Sequence, residues 1–444
     1  MRQISRCLLV LAMLFMATTI ANGQTLKTHK VKKDETIYGI ARSYGITEQE
    51  LRSANPGMES PAYILKKGDK INIPMPGTMV QQPVRPASDD VRQRAIRMGV
   101  MLPLHDNNGD GRRMVEYYRG LLMACDSLKG ENISVDVYAW NTPADGNIAE
   151  TLAKPEAADC DIIFGPLYSR QMEQLSSFCS QHAIKLVIPF SITAPQLAYN
   201  SNIFQVYQNP DGMNETVARR MADWFAESHI VIIDCENPGN PKGAFTTALR
   251  QLLDKRNRKY RLTSLKSPSA SFASAFNTEK SNVVVLNSGR ASDMEEIFVK
   301  LKDFCTANPG VRVSLFGYTE WMEQAGSHLQ NFHRYDMYIP STAFYALAPI
   351  TAKRLDAKYH SGFHQDMMKF YPPLAITGFD HALFFLRGLH KYGHAFKGDA
   401  NSIGYVPVQT PLKFEQVAAG GGYQNRGFMF VHYKTDGQLD TINY

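Results

Sequence analysis

The chain has 444 residues, more than one ordinary domain needs, and the length predicts two or three domains. A hydrophobic fraction of 44% supplies the core of a soluble globular protein. The formal charge of +6 is spread out with no dense Lys/Arg run, which argues against nucleic acid as a partner.

The first residues read as a secretory leader. Arg2 and Arg6 form a basic start, and Leu8 to Ala17 is apolar but too short to span a bilayer. Ala21-Asn22-Gly23 then offers small residues for cleavage before Gln24, which would leave a charge of +4. No later segment reaches transmembrane length. Cys7 precedes the apolar stretch, so a lipid anchor is not expected, and the chain reads as a soluble exported protein of the periplasm. Five cysteines remain: Cys125, Cys160, Cys179, Cys235 and Cys305. Their spacing fits no zinc pattern, and an odd number leaves at least one thiol unpaired in a monomer. Small buried hydrophobes are the plain reading, with Cys160 and Cys179 the candidate disulfide that export would permit.

Residues 28–75 form a first domain. His29 and Val31 begin a strand, and Asp34-Glu35-Thr36 opens a helix with Ile37, Ile40, Ala41 and Tyr44 on its apolar face. Gly45 ends that helix, and Thr47 caps a second one with Glu50 three residues on and Leu51 and Ala54 on its apolar side. Asn55-Pro56-Gly57 stops it, and Lys70-Ile71-Asn72-Ile73-Pro74 alternates as a closing strand. This β-α-α-β order, with its Thr-Ile, Tyr-Gly-Ile, Asn-Pro and Lys-Gly-Asp-Lys-Ile words, closely resembles a LysM domain. The resemblance implies peptidoglycan binding in a shallow groove between two loops. The groove residues would be Lys33, Asp34, Glu35, Thr36 and Ile37 after the first strand, and Ile64, Leu65, Lys66, Lys67 and Gly68 before the last. Asn55 and Pro56 would hold the fold. Many LysM domains have Gly-Asp-Thr where this chain has Asp34-Glu35-Thr36, so an extra carboxylate stands beside the groove.

Residues 76–95 read as a linker: Pro76, Gly77, Pro83 and Pro86 sit among polar residues with no apolar period, a semi-extended tether. From Ile96 to the end, strands and helices alternate. Strands are expected at 96–104, 134–138, 161–165, 185–189, 230–235, 282–287 and 311–316. Helices are expected at 114–128, 170–182, 215–227, 244–257 and 293–307. Apolar runs between amphipathic helices predict parallel sheets covered on both faces, and residues 96–444 are too many for one sheet.

The order resembles the type I periplasmic binding-protein fold of branched-chain amino-acid-binding proteins. The matching words are Ile96 to Leu104, Tyr118-Arg119-Gly120, Ile162-Ile163-Phe164-Gly165-Pro166, Val187-Ile188-Pro189-Phe190-Ser191, and Gly378-Phe379-Asp380-His381-Ala382. The expected fold class is therefore α/β, two lobes with parallel sheets around a hinged cleft, preceded by the small α+β LysM domain. The resemblance places Tyr168, Ser169, Ser191 and Thr193 at the cleft, where hydroxyls and helix N-termini hold a carboxylate in amino-acid-binding relatives. The same residues also serve as helix caps. The second lobe offers Ser288 and Glu320 beside Trp321, and its loops lack the acid and aromatics that would receive an ammonium group.

Asp106 to Gly111 mimics the start of an EF-hand loop, but Glu116 falls one position short of the terminal ligand. The pairs His360/His364 and His390/His394 lack the Glu of a zinc-peptidase motif. No cofactor, metal or catalytic residue is expected. The reading is a non-enzymatic, wall-associated periplasmic protein. Its LysM domain grips peptidoglycan while the two-lobed domain binds a small solute, a wall fragment such as a muropeptide, or a wall-synthesis protein. The alternatives are a receptor that delivers amino acids or peptides to an ABC permease and a wall hydrolase. Activators of penicillin-binding proteins at the outer membrane share the two-lobed fold, although as lipoproteins they match only in part.

Overall fold

The computed structural model describes residues 26–444 apart from 34, 45, 47, 56, 57, 59–64, 75–88, 191, 192, 209, 237–241 and 346–348. The expected leader, most of the expected linker, and the site candidates Asp34, Ile64 and Ser191 lie outside the described residues. Two units can be told apart, residues 1–84 and 85–444.

In the first unit, β1 (Leu26–Lys30) pairs antiparallel with β2 (Lys70–Pro74), His29 opposite Ile71. Between them lie α1 (Ile37–Ser43) and α2 (Glu48–Ser53). Thr36 caps α1, its Oγ1 accepting the Gly39 N–H at 3.0 Å. Ile40 and Ala41 turn inward, as their spacing requires, and join Val31, Leu51, Ile71 and Ile73 in the core. Asn55 fastens the end of α2 to β2. Its amide donates to the carbonyls of Leu51 and Asn72 and its oxygen accepts the Asn72 N–H, each at 2.7 Å.

The second unit holds two seven-stranded sheets. The first contains β3 (Ile96–Leu102), β4 (Val135–Asn141), β5 (Ile162–Phe164), β6 (Lys185–Ile188) and β7 (Ile203–Gln205). The chain then builds the second sheet with β8 (His229–Asp234), β9 (Tyr260–Ser264), β10 (Asn282–Leu286), β11 (Val313–Phe316) and β12 (Met337–Ser341). It returns to the first for β13 (Phe414–Gln416) and β14 (Tyr423–Asn425). It ends in the second with β15 (Met429–Tyr433) and β16 (Leu439–Asn443). The orders are β13-β14-β7-β6-β5-β3-β4 and β16-β15-β12-β11-β10-β8-β9. The first five strands of each sheet are parallel; antiparallel pairs occur at β13–β14, β12–β15 and β15–β16. Three crossovers, after β7, β12 and β14, thus join two α/β lobes.

Five helices of this unit carry residues that shape its sites: α3 (Gly109–Lys129), α4 (Pro210–Trp224), α5 (Lys242–Lys255), α6 (Ala291–Ala307) and α7 (Leu374–Tyr392). α7 is buried almost all round and packs on α3 in the first lobe. Their backbones meet at two glycines. A Cβ on Gly120 would strike the Ala375 carbonyl, and one on Gly378 would strike the Tyr117 carbonyl. Two of the family-like words, around Gly120 and Gly378, therefore mark this close helix crossing. Asp380, in the second word, is fully buried. Its carboxylate accepts the N–H groups of Val408, Gln409 and Thr410 at 2.9, 2.8 and 2.7 Å, fastening that loop to α7.

From Asp89 onward the stretch read as linker packs on the second unit. Val91 is buried among first-lobe residues. Arg94 reaches Asp89 at 2.6 Å and the buried Asp161 at 2.7 Å. The candidate disulfide does not form. Cys160 and Cys179 lie in one apolar cluster with no disulfide between them, and among the described residues Cys125, Cys235 and Cys305 form none either.

Candidate functional site

In the first unit the two expected groove loops lie side by side. Gly68 donates its N–H to the Val31 carbonyl at 2.8 Å, and Val31 donates to the Asp69 carbonyl at 2.9 Å. Gly68 adopts φ +97°, a left-handed turn that suits glycine. Asp69 Oδ2 accepts the Lys66 N–H at 2.9 Å and shapes the same turn. Lys33, Thr36, Lys66 and Lys67 are exposed, and Ile37 and Leu65 are half-buried. Glu35 has other work. Its Oε2 accepts the Lys32 N–H at 2.6 Å and faces His29 Nε2 at 2.8 Å, while His29 Nδ1 meets the Tyr44 hydroxyl at 2.9 Å. The Lys32 N–H first, and then His29, hold the Glu35 carboxyl below its usual range. Glu35 therefore braces the loop, and Tyr38, 60% exposed, adds an aromatic surface next to it.

In the second unit the described residues expected at the cleft are engaged by neighbouring protein groups. Tyr168 directs its hydroxyl to Asp110 at 3.3 Å. The Ser169 Oγ accepts the Thr193 N–H at 3.0 Å, so this hydroxyl shapes a loop. Ser288 is fully buried; its Oγ donates to Asp293 in the first turn of α6 and accepts the Arg290 N–H at 3.2 Å. Burial pushes the Asp293 carboxyl up, but Arg290 and Ser288 outweigh it and hold the group low. Glu320 is paired with Lys242 at 2.7 Å, so the expected acid already has its cation. The EF-hand-like stretch is a helix start: Asn108 Oδ1 accepts the Gly111 N–H at 2.8 Å, and Asp110 pairs with Arg113. Among the described residues, no three His, Cys, Asp or Glu side chains group to hold a metal.

A cavity of about 480 Å³ does lie between the lobes, lined by other residues. Phe190 and Leu374 come from the first lobe, and Phe245, Phe316 and Tyr318 from the second. Tyr207, Gln208, Thr342 and Ala343 come from the crossovers, and Asn425 ends β14. The first and third crossovers are tied together where the Gln208 amide donates to the Gly427 carbonyl. Lys242 stands at this cavity with its Nζ 4.9 Å from the Tyr318 ring centroid. His381 also lines it; its Nδ1 meets the Tyr117 hydroxyl at 2.9 Å and its Nε2 has no hydrogen-bond partner among the described residues. Burial drives the His381 pKa down to about 3, so the ring is neutral. Among the described residues the lining is predominantly apolar, and its one cation, Lys242, is balanced by Glu320. It suits an apolar group far better than the paired charges of a free amino acid.

The sequence reading missed this lining because its residues come from segments spread between positions 189 and 425. The available signals were Pro189 and Phe190 in one family-like word and His381 in another.

Residues 29–74 match the LysM domain family. No curated protein sequence matches the chain. Among solved structures, a branched-chain amino acid ABC transporter protein from Rhodospirillum rubrum is similar at 12% identity and TM-score 0.49, over 79% of this chain and 100% of that one. LivJ from Streptococcus pneumoniae, in complex with isoleucine, is 11% identical at TM-score 0.37, over 79% and 100%. LpoA from Haemophilus influenzae is 13% identical at TM-score 0.49, over 79% of this chain and 59% of that chain.

Proposed function

We propose, from the LysM domain at residues 29–74, that this is an exported protein held at the cell wall by peptidoglycan binding, and that its two-lobed domain is a non-catalytic binding domain. The leader-like residues 1–23 support export to the periplasm. The observation that carries the wall reading is the pair of adjoining loops at Val31 and Gly68, which presents the exposed Lys33, Thr36, Lys66 and Lys67 while Asn55 and Glu35 secure the fold. A single LysM copy binds weakly, so its contribution is to raise the local concentration of the large domain beside the wall.

For the two-lobed domain, the apolar cavity favours a wall fragment, a partner protein or a mostly apolar solute over a free amino acid. Delivery of amino acids to a permease is further disfavoured because a tethered receptor cannot diffuse to its transporter. Regulation of a wall-synthesis protein is the role that uses both domains, with the LysM domain supplying the address and the cleft or its rim the contact.

Sedimentation with insoluble peptidoglycan tests the first half: the full chain should pellet, and a chain lacking residues 28–74 should stay in solution. Equal pelleting of both would overturn the wall reading. A thermal-shift comparison of leucine with a muropeptide tests the second half. Strong stabilisation by leucine would restore the amino-acid receptor.

A further inference from the structure

A second concavity of the large unit, about 240 Å³, carries a charge pattern found at neither the groove nor the cleft. Arg219 and Arg220 on α4 belong to the second lobe, Lys413 and Glu415 flank the start of β13 in the first, and Arg426 lies on the third crossover. Four cations thus face one side-chain carboxylate. Several other arginines of the unit are paired with carboxylates: Arg94 with Asp161, Arg387 with Glu131 at 2.5 Å, Arg256 with Asp223 at 2.6 Å and Arg290 with Asp293 at 2.9 Å. Among the described residues, no ion pair engages Arg219, Arg220, Lys413 or Arg426. Arg220 is oriented by the Tyr444 ring, its guanidinium carbon 5.5 Å from the centroid.

Like charges drawn from three separate segments repel one another in a shared hollow, and a bound anion relieves that repulsion. The hollow is too small for a folded segment and has the size of one or two tetrahedral groups with their waters. Guanidinium forks match tetrahedral oxyanions, and a single carboxylate would leave most of the positive charge unanswered. We propose that this concavity is a binding site for a phosphate-class anion, a monophosphate or diphosphate group. Its cations come from both lobes and the crossover between them, so the bound anion holds the lobes in one relative setting and is linked to the opening of the cleft.

The test is calorimetric titration of the full chain with pyrophosphate at low ionic strength, with citrate as a carboxylate control. The expected result is binding of pyrophosphate that weakens as salt is added and falls by about tenfold or more in an Arg219→Gln/Arg426→Gln double variant. An Arg256→Gln variant, which removes a paired arginine elsewhere, should bind as the parent does. All these arginines are exposed or half-buried, and unchanged melting temperatures would verify that the variants fold. Absence of pyrophosphate binding, undiminished binding by the double variant, or equal affinity for citrate would each overturn the proposal. Flotation with phosphatidylcholine vesicles, with and without phosphatidic acid, separates the sources. Capture that depends on phosphatidic acid and is lost in the double variant assigns a lipid-borne phosphate, and pyrophosphate binding without such capture assigns a soluble one. Neither vesicle outcome depends on peptidoglycan binding, so the site stands or falls apart from the wall reading.

Discussion

The LysM domain and the two-lobed domain use their family-like words in different ways. In the LysM domain the words lie next to the proposed ligand surface: Thr36 caps α1 at the groove, Gly68 turns the facing loop, and Asn55 secures the strand behind. In the two-lobed domain the words lie inside. Gly120 and Gly378 let two helices touch, and Asp380 anchors a loop. A groove made of two local loops inherits its geometry from a short sequence. A cleft between lobes is surfaced by whatever residues the crossovers bring there, so a fold can be kept while the ligand chemistry changes.

The contrast is open to attack by substitution. Gly378→Leu should do the most damage, because the new side chain has only the Tyr117 carbonyl to occupy. We expect a loss of about 3 kcal/mol or more by urea unfolding of the large unit, with peptidoglycan pelleting intact. If the large unit keeps its stability, the word is not a packing device. Asn55→Ala removes three hydrogen bonds in the small domain. The expected loss is about 2–3 kcal/mol there and a fall in pelleting, while the melting of the large unit is unchanged.

A subtler probe is the pH dependence at the cavity. His381 is neutral in the folded chain, with its pKa near 3, and gains a proton in the unfolded chain below its ordinary value of 6.5. The unfolded state binds more protons in that window, so this group costs stability as pH falls from about 6.5 towards 3. Comparing the parent with His381→Gln by urea unfolding, the parent should lose ground by about 1.4 kcal/mol for each pH unit below 6.5. Parallel curves would show that the ring protonates freely and is not sealed. Asp380 works against this slope: burial pushes its pKa up to about 7, although three N–H donors pull it down. The difference between parent and variant cancels that contribution. The smallest effect belongs to Glu320→Gln. The Lys242 pair is half-exposed, so stability should change by less than about 1 kcal/mol, and leucine should fail to bind either protein. A leucine response that vanishes with Glu320 would return this residue to the role first expected of it.

Much of the fold was legible. Expected strands at 185–189, 230–235 and 282–287 appear within a residue or two, because buried parallel strands are written as continuous apolar runs. The helix expected from Met114 starts at Gly109, since Asn108 caps a turn that the apolar period does not mark. β7, β13 and β14, three residues each, carry neither an alternation nor the continuous apolar run that marks β5. In the candidate sites, hydroxyl-bearing residues do follow strand ends, Ser169 after β5 and Ser288 after β10. Ser288 and Ser169 show why that does not make them ligand contacts: a short polar side chain at a helix or loop start satisfies its own backbone first.

By itself, the sequence determined what rests on local rules: the LysM fold, the α/β class, and the opening of α1 at Thr36. Periodicity and capping act over a few residues, so one stretch of chain is enough to read them. Only the tertiary structure decided that Glu320 is matched by Lys242, that the cleft is walled by Phe190, Phe245 and Phe316, and that Arg219, Lys413 and Arg426 share one hollow with Glu415. Those outcomes depend on where three crossovers return the chain, and charge and cavity are properties of neighbours in space.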